Sequence, residues 1–160
     1  MCSSDLDTIS DFDVSSAATT GNTNDVLNLP SNLIAANTAG MVDGANATVA
    51  ATGQVFDKHS ISNGIVTFYD TANAPILVNS SNSFAMRAVA ISYLSANLTN
   101  PGATAAFPFD NDNNGQADSL VLFQDGVPPN SDIVVQLTGL NGVTLSTVTD
   151  RKSTRLNSSH

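Results

Sequence analysis

Ala105-Ala-Phe-Pro-Phe-Asp-Asn-Asp-Asn-Asn-Gly-Gln-Ala-Asp-Ser-Leu-Val-Leu-Phe123 decides the fold. Ala105 to Phe109 and Ser119 to Phe123 read as strands, with Phe107 and Phe109 alternating toward one face and Val121 and Phe123 doing the same. The polar stretch between them tips a β-hairpin. Outward from it, Ile133, Val135 and Leu137 mark a further strand, and Val143 to Thr147 a last one. Upstream, Ser60 to Phe68 carries the Asn63-Gly64 pair that a two-residue hairpin turn demands. Ile76 to Asn79, Asp7 to Asp13 and Asp25 to Leu29 read as short strands, the last stopped by Pro30, while residues 36 to 53 are small and polar and expected to be irregular. Phe84, Ala88, Ile91, Leu94 and Leu98 recur at helical spacing, with Ser81 or Ser83 as N-cap. The expected fold is mainly β with one helix: an antiparallel β-sandwich or roll-like domain of about eight short strands.

The hairpin tip is where chemistry concentrates. Calcium takes six to eight oxygen ligands, and a loop supplies them from alternate positions because successive residues point apart. Asp110, Asp112 and Asn114 stand at positions one, three and five. Gly115 at six permits the sharp turn, Gln116 offers its backbone carbonyl at seven, and Asp118 falls at nine. Val121 occupies position twelve, where a helix-loop-helix calcium site needs Glu, so the loop is not of that kind. The competing account is a solvated Asn/Asp turn without an ion. A looser set, Asp7, Asp11, Asp13 and Asp25, would either ligate calcium or cap turns, and turn capping is the simpler account.

Composition agrees with an acidic, loop-rich surface. The chain has 14 acidic residues, every one Asp, against 5 Lys+Arg, for a net charge of −9. A short carboxylate reaches its own backbone and suits turns and tight cation loops, whereas Glu favours helices. So negative a surface repels phosphate backbones and anionic membranes, which excludes nucleic acid as a partner. No apolar run approaches the roughly 18 residues that a membrane helix needs. The only cysteine is Cys2, which leaves no disulfide framework and no thiolate metal site.

The two ends read as one foreign sequence. Asp150-Arg151-Lys152-Ser153 can be written GAT CGG AAG AGC, and the opposite strand in another frame gives Cys2-Ser3-Ser4-Asp5. Residues 1–6 are therefore expected to be an adapter-derived head and 150–160 an adapter-derived tail. Residues 7–149 then form a single β-rich domain, a fragment of a longer protein.

Other chemistry is sparse. His59 is expected to be an exposed strand residue without a catalytic or metal partner, since the other histidine, His160, lies in the tail. No Ser-His-Asp set can be assembled, and no pair of carboxyls has the separated environments of an acid and a base. Asn46, Asn79 and Asn97 each begin a glycosylation acceptor triplet, which arises by chance in an Asn/Thr-rich chain.

Two stretches together carry a resemblance. Asp7-Thr-Ile-Ser-Asp-Phe-Asp13 followed by Asp25-Val-Leu-Asn-Leu29 resembles the segment after the glycine-rich β-roll of repeats-in-toxin proteins. Ala105 to Asp110, Ser119 to Asp125 and Val135 to Gly139 resemble the "bluetail" C-terminal domains of bacterial surface proteins. The resemblance implies a non-catalytic export and folding module of a large secreted calcium-binding surface protein. It implies an extracellular or cell-surface location and type I secretion machinery as partner. Alternatives are an adhesin-type binding domain, for which the absence of Trp and the presence of only Tyr69 and Tyr93 leave little sugar-stacking material, or a fragment of a secreted hydrolase.

Overall fold

The computed structural model describes residues 6–12, 27–126, 132–140 and 145. The hairpin of the opening stretch is its centre. β7 (Thr104–Asp110) and β8 (Ser119–Gln124) pair antiparallel, Thr104 with Gln124 through Phe109 with Ser119. β9 (Ile133–Thr138) continues antiparallel on β8, and β1 (Leu6–Ile9) closes that edge parallel to β9. On the other flank lie β4 (Ile65–Tyr69), β3 (Val55–Ser62) and β2 (Val42–Thr48), giving the order β1-β9-β8-β7-β4-β3-β2. Two short strands complete the sheet: β5 (Pro75–Ile76) on β4 and β6 (Val78–Asn79) on β7. The described residues hold one helix, α1 (Ser81–Asn97).

The fold is mainly β with a single helix, and its sheet is one mixed nine-stranded layer rather than a wholly antiparallel one. The parallel pairings follow from how β7 is flanked. Along the side away from β8 it meets Ile34 at Thr104, Ile65 at Ala106, and Val78-Asn79 at Phe109-Asp110, each running parallel to it. Three separate pieces of chain thus share one edge of the central strand.

Both faces of β7 and β8 are covered, so nearly every residue in them is buried. One face, with Phe56, Val66, Phe68, Phe107, Phe109, Val121 and Phe123, packs under α1. The other gathers Ala106, Leu120, Leu122, Val135, Leu137, Phe12, Leu140 and Leu145. Alternation along the hairpin therefore separates two cores and not a core from solvent.

The Asn63-Gly64 turn is as expected. Both residues have positive φ (49° and 75°), as a type I′ turn requires, and the β3–β4 register runs from Ser62↔Ile65 to Lys58↔Tyr69. That register puts His59 opposite Phe68 and corrects its assignment as an exposed residue: His59 is 6% exposed. Its Nδ1 lies 3.0 Å from the Tyr93 hydroxyl, which in turn donates to the Asp57 carbonyl at 3.3 Å. Burial, and beyond it the charges of Asp57 and Asp43, push the Tyr93 pKa up to about 12. Burial holds the His59 pKa below its ordinary value of 6.5. The folded state therefore binds fewer protons than the unfolded chain, and the stability this gives is complete above pH 6.5 and lost as pH falls below it. Unfolding free energy is expected to decline from pH 7 to pH 5, with a shallower slope in His59→Phe, as urea titrations at each pH would measure.

Three other expectations change. Val42–Thr48 is a strand, not an irregular stretch. It was hidden because the five residues between Val42 and Thr48, Asp-Gly-Ala-Asn-Ala, are neither β-branched nor aromatic. It is a bulged edge strand, its register shifting between Asp43 and Ala47. There Asn97 of α1 accepts from Ala45 N (2.7 Å) and donates to Ala45 O (3.2 Å), supplying the bonds a ladder partner would give. A side chain on Gly44 would run into the Tyr93 hydroxyl and Asn97, so the bulge needs glycine there. Leu27 to Leu29 is not a strand, and Asp25 and most of residues 143–147 lie outside the described residues.

The helix begins at Ser81 with Ser80 as N-cap, and Asn79 Oδ1 accepts from Ser81 N at 3.1 Å. Its buried face is Met86, Ala90, Tyr93 and Leu94, while Phe84 is 40% exposed and Ala88 also faces out. The expected stripe shares Leu94, the half-buried Ile91 and, just past the helix, Leu98. Tyr93 explains the rotation. Its ring stacks edge-on with Phe68 (5.8 Å) and His59 (5.6 Å), drawing that side of the helix down onto the sheet.

Candidate metal centre

β7 ends and β8 begins on the two acids that frame the tip. Asp110 is 1% exposed, being covered by β6 and the start of α1, and its carbonyl accepts from Ser80 N at 2.9 Å. Asp118 is half-buried; its N–H donates to Phe109 O (3.1 Å) and its carbonyl accepts from Gly139 N (2.8 Å). Asp112 stands out in solvent at the crown. Positive φ at Asn113 (59°) and Gly115 (91°) folds the crown back over Asp110.

This folding brings the three carboxylates together. One oxygen from each of Asp110, Asp112 and Asp118 can lie within 4.8 Å of the others. Asp110 accepts Asn114 N on Oδ1 (3.1 Å) and Gly115 N on Oδ2 (2.8 Å). Asp112 accepts Asn114 N (3.2 Å) and Asn114 Nδ2 (2.9 Å). Asp118 Oδ1 accepts Asn111 N (3.0 Å) and Ser119 Oγ (2.8 Å). Asn114 Oδ1 accepts Gln116 N at 2.9 Å, which places the side-chain oxygen of position five inside the loop's hydrogen-bond network. Gln116 itself is exposed.

The electrostatics favour a cation. Three like charges this close repel one another, by less where Asp112 meets water. Backbone N–H groups aimed at Asp110 and Asp118 offset part of this. Among the described residues the ion pair is Lys58 with Asp57 (2.9 Å), and no basic side chain pairs with these three acids. Each carboxylate retains acceptor capacity beyond the bonds it receives. The donors are all oxygen, the set that suits hard cations. The group could hold a metal ion.

The looser acidic set is only partly placed. Asp7, in β1, and Asp11 are exposed, and Asp13 and Asp25 lie outside the described residues. Of the acceptor triplets, Asn97 has both ends of its amide engaged, by Ala45 and by the Tyr93 carbonyl. Asn79 is committed to the start of α1. Both asparagines serve the fold. Among the described residues His59 joins no group that could hold a metal; its partner, Tyr93, is brought to it by α1, a pairing of distant residues that no local sequence rule marks. No helix among the described residues is long and apolar enough to cross a membrane. In comparisons with family models, with curated proteins and with solved structures, nothing matches the chain.

Proposed function

We propose that this domain is a non-catalytic, calcium-stabilised folding and export module of a large secreted bacterial surface protein. The observation that supports it is the convergence of Asp110, Asp112 and Asp118 at the tip of the central hairpin. Hard oxygen donors on an irregular hairpin loop suit calcium better than magnesium, which demands near-ideal octahedral geometry, and better than zinc, which favours nitrogen and sulfur. Asn114 and the Gln116 carbonyl would complete the set, with water filling the remainder.

Only three carboxylates serve the loop, and one of them faces solvent, so its affinity belongs in the range of roughly 0.1 to 1 mM found in extracellular modules. Such a loop stays empty at cytosolic calcium and fills outside the cell, so the chain would leave the cell unfolded and gain its last increment of stability on arrival. The sequence resemblance to bluetail and repeats-in-toxin domains points the same way. A sugar-binding role draws less support: Tyr93 is fully buried, and Tyr69 is half-buried against Ser60.

Export is the part of the proposal that needs a cellular test. A reporter placed upstream of the domain in its natural downstream context is expected to reach the medium in cells carrying a type I exporter. Without the exporter it should stay inside. Equal retention in both strains would contradict the export role and leave the calcium site standing.

A further inference from the structure

We propose that Arg87 and Gln136 are positioning residues for the cation loop, and that filling the loop is coupled through them to the docking of the first turns of α1. This rests on the loop binding calcium, as argued above. Gln136 is a buried amide on β9, 3% exposed, and both of its ends are used. Its Oε1 accepts from Arg87 Nη1 at 2.6 Å, and its Nε2 donates to Asn111 Oδ1 at 3.1 Å. Asn111 is the residue between the first two acids, and its own N–H donates to Asp118 Oδ1. A single chain of hydrogen bonds therefore runs from the helix, through the sheet, to a carboxylate of the cluster.

Each link constrains the next. The Arg87 guanidinium lies against two neighbouring aromatic rings, 4.5 Å from the Phe84 centroid and 5.4 Å from that of Phe109. A buried amide with one end unpaired is costly, so Gln136 stays in register with both neighbours or loses both. Asn111, fixed by Gln136, presents its N–H to Asp118 and so sets where that carboxylate lies. A second fastening parallels the first: Asn79 pairs with Asp110, and Ser80 N donates to Asp110 O, where α1 begins. The loop opens where the helix opens. Fixing three carboxylates on one ion steadies Asn111, then Gln136, then Arg87. By reciprocity, whatever holds Arg87 in place strengthens ion binding by the same factor.

The sign of one substitution separates this role from plain electrostatics. Arg87 is a positive charge near a cation site, so charge alone predicts that Arg87→Met tightens calcium binding. Positioning predicts the opposite. Calorimetric titration of the full chain with calcium chloride is expected to show weakening of about tenfold in both Arg87→Met and Gln136→Met, at the low end for residues that orient metal ligands. Circular dichroism without calcium would confirm that each variant is folded. A second arm needs no variant: in the unmodified chain, calcium should slow amide hydrogen exchange over residues 84–90 more than over the β3–β4 hairpin. Arg87→Met binding calcium as tightly as the parent, or more tightly, would overturn the inference, as would exchange in α1 that ignores calcium. If either variant fails to fold, the exchange arm decides. If the unmodified chain binds no calcium, the reading of the loop fails, and the coupling falls with it. Binding in the parent with unaltered variants removes the coupling alone.

Discussion

Phe68→Ala is expected to lower the unfolding free energy by about 3–5 kcal/mol, the range for removing a fully buried aromatic side chain. Phe68 is 1% exposed, next to the last residue of β4, and is the hub of the aromatic core. Its ring meets Phe56 at 5.1 Å, Phe107 at 5.4 Å and Tyr93 at 5.8 Å, each edge-on. Those contacts join three strands and the helix, so no neighbour can move in without giving up a contact of its own. Domains of this size hold only about 5–15 kcal/mol in total, so the variant should lie near the edge of folding. Urea unfolding at pH 7 would measure it, with Leu33→Ala, 42% exposed, as a control expected to stay within about 0.5 kcal/mol. A loss below about 1 kcal/mol for Phe68→Ala would mean that α1 does not pack on the sheet as described.

Calcium is expected to raise the thermal midpoint of the chain. With a dissociation constant of a few tenths of a millimolar, 10 mM calcium contributes about 2 kcal/mol by mass action. For a domain of this length that corresponds to about 4–8 °C. Magnesium at the same concentration should do much less. Two variants then separate ligand from scaffold. Asp112 is exposed at the crown, so Asp112→Ala should abolish the calcium response while leaving the calcium-free midpoint nearly unchanged. Asp110 is buried and accepts two backbone N–H groups, so Asp110→Ala should also cost about 1–3 kcal/mol with no calcium present, because Asn114 and Gly115 lose their acceptor. Equal effects of the two substitutions without calcium would show that the crown is not ordered as described.

How much of this was legible in the sequence depended on whether a local rule set the outcome. The 105–123 hairpin was readable because alternating Phe and Val flank a run of Asp, Asn and Gly, and the structure closes the carboxylates of that run into one group. Asn63-Gly64 fixed its own turn for the same reason. What escaped the reading depended on distant partners. His59 is buried because the register places it against Phe68 and the helix brings Tyr93 to it. Gly-Ala-Asn in β2 has no strand signature; it is the unpaired bulge of that strand, and Asn97 of α1 takes up the hydrogen bonds of Ala45. The helix face was misjudged because Phe84 looks like core by hydrophobicity. It sits instead beside Arg87, 40% exposed, with its ring near that of Phe109. The mixed character of the sheet was equally hidden, since β6 and Ile34 join β7 through pairings of one or two residues.

The central claim is that the tip of the β7–β8 hairpin is a calcium site of extracellular affinity. Titration calorimetry of the full chain with calcium chloride tests it most directly. One ion per chain is expected, with a dissociation constant between about 0.1 and 1 mM, and no heat of binding in Asp112→Ala. An absence of binding up to about 10 mM, or binding that survives Asp112→Ala unchanged, would contradict it and leave the loop an acidic turn held by its own backbone.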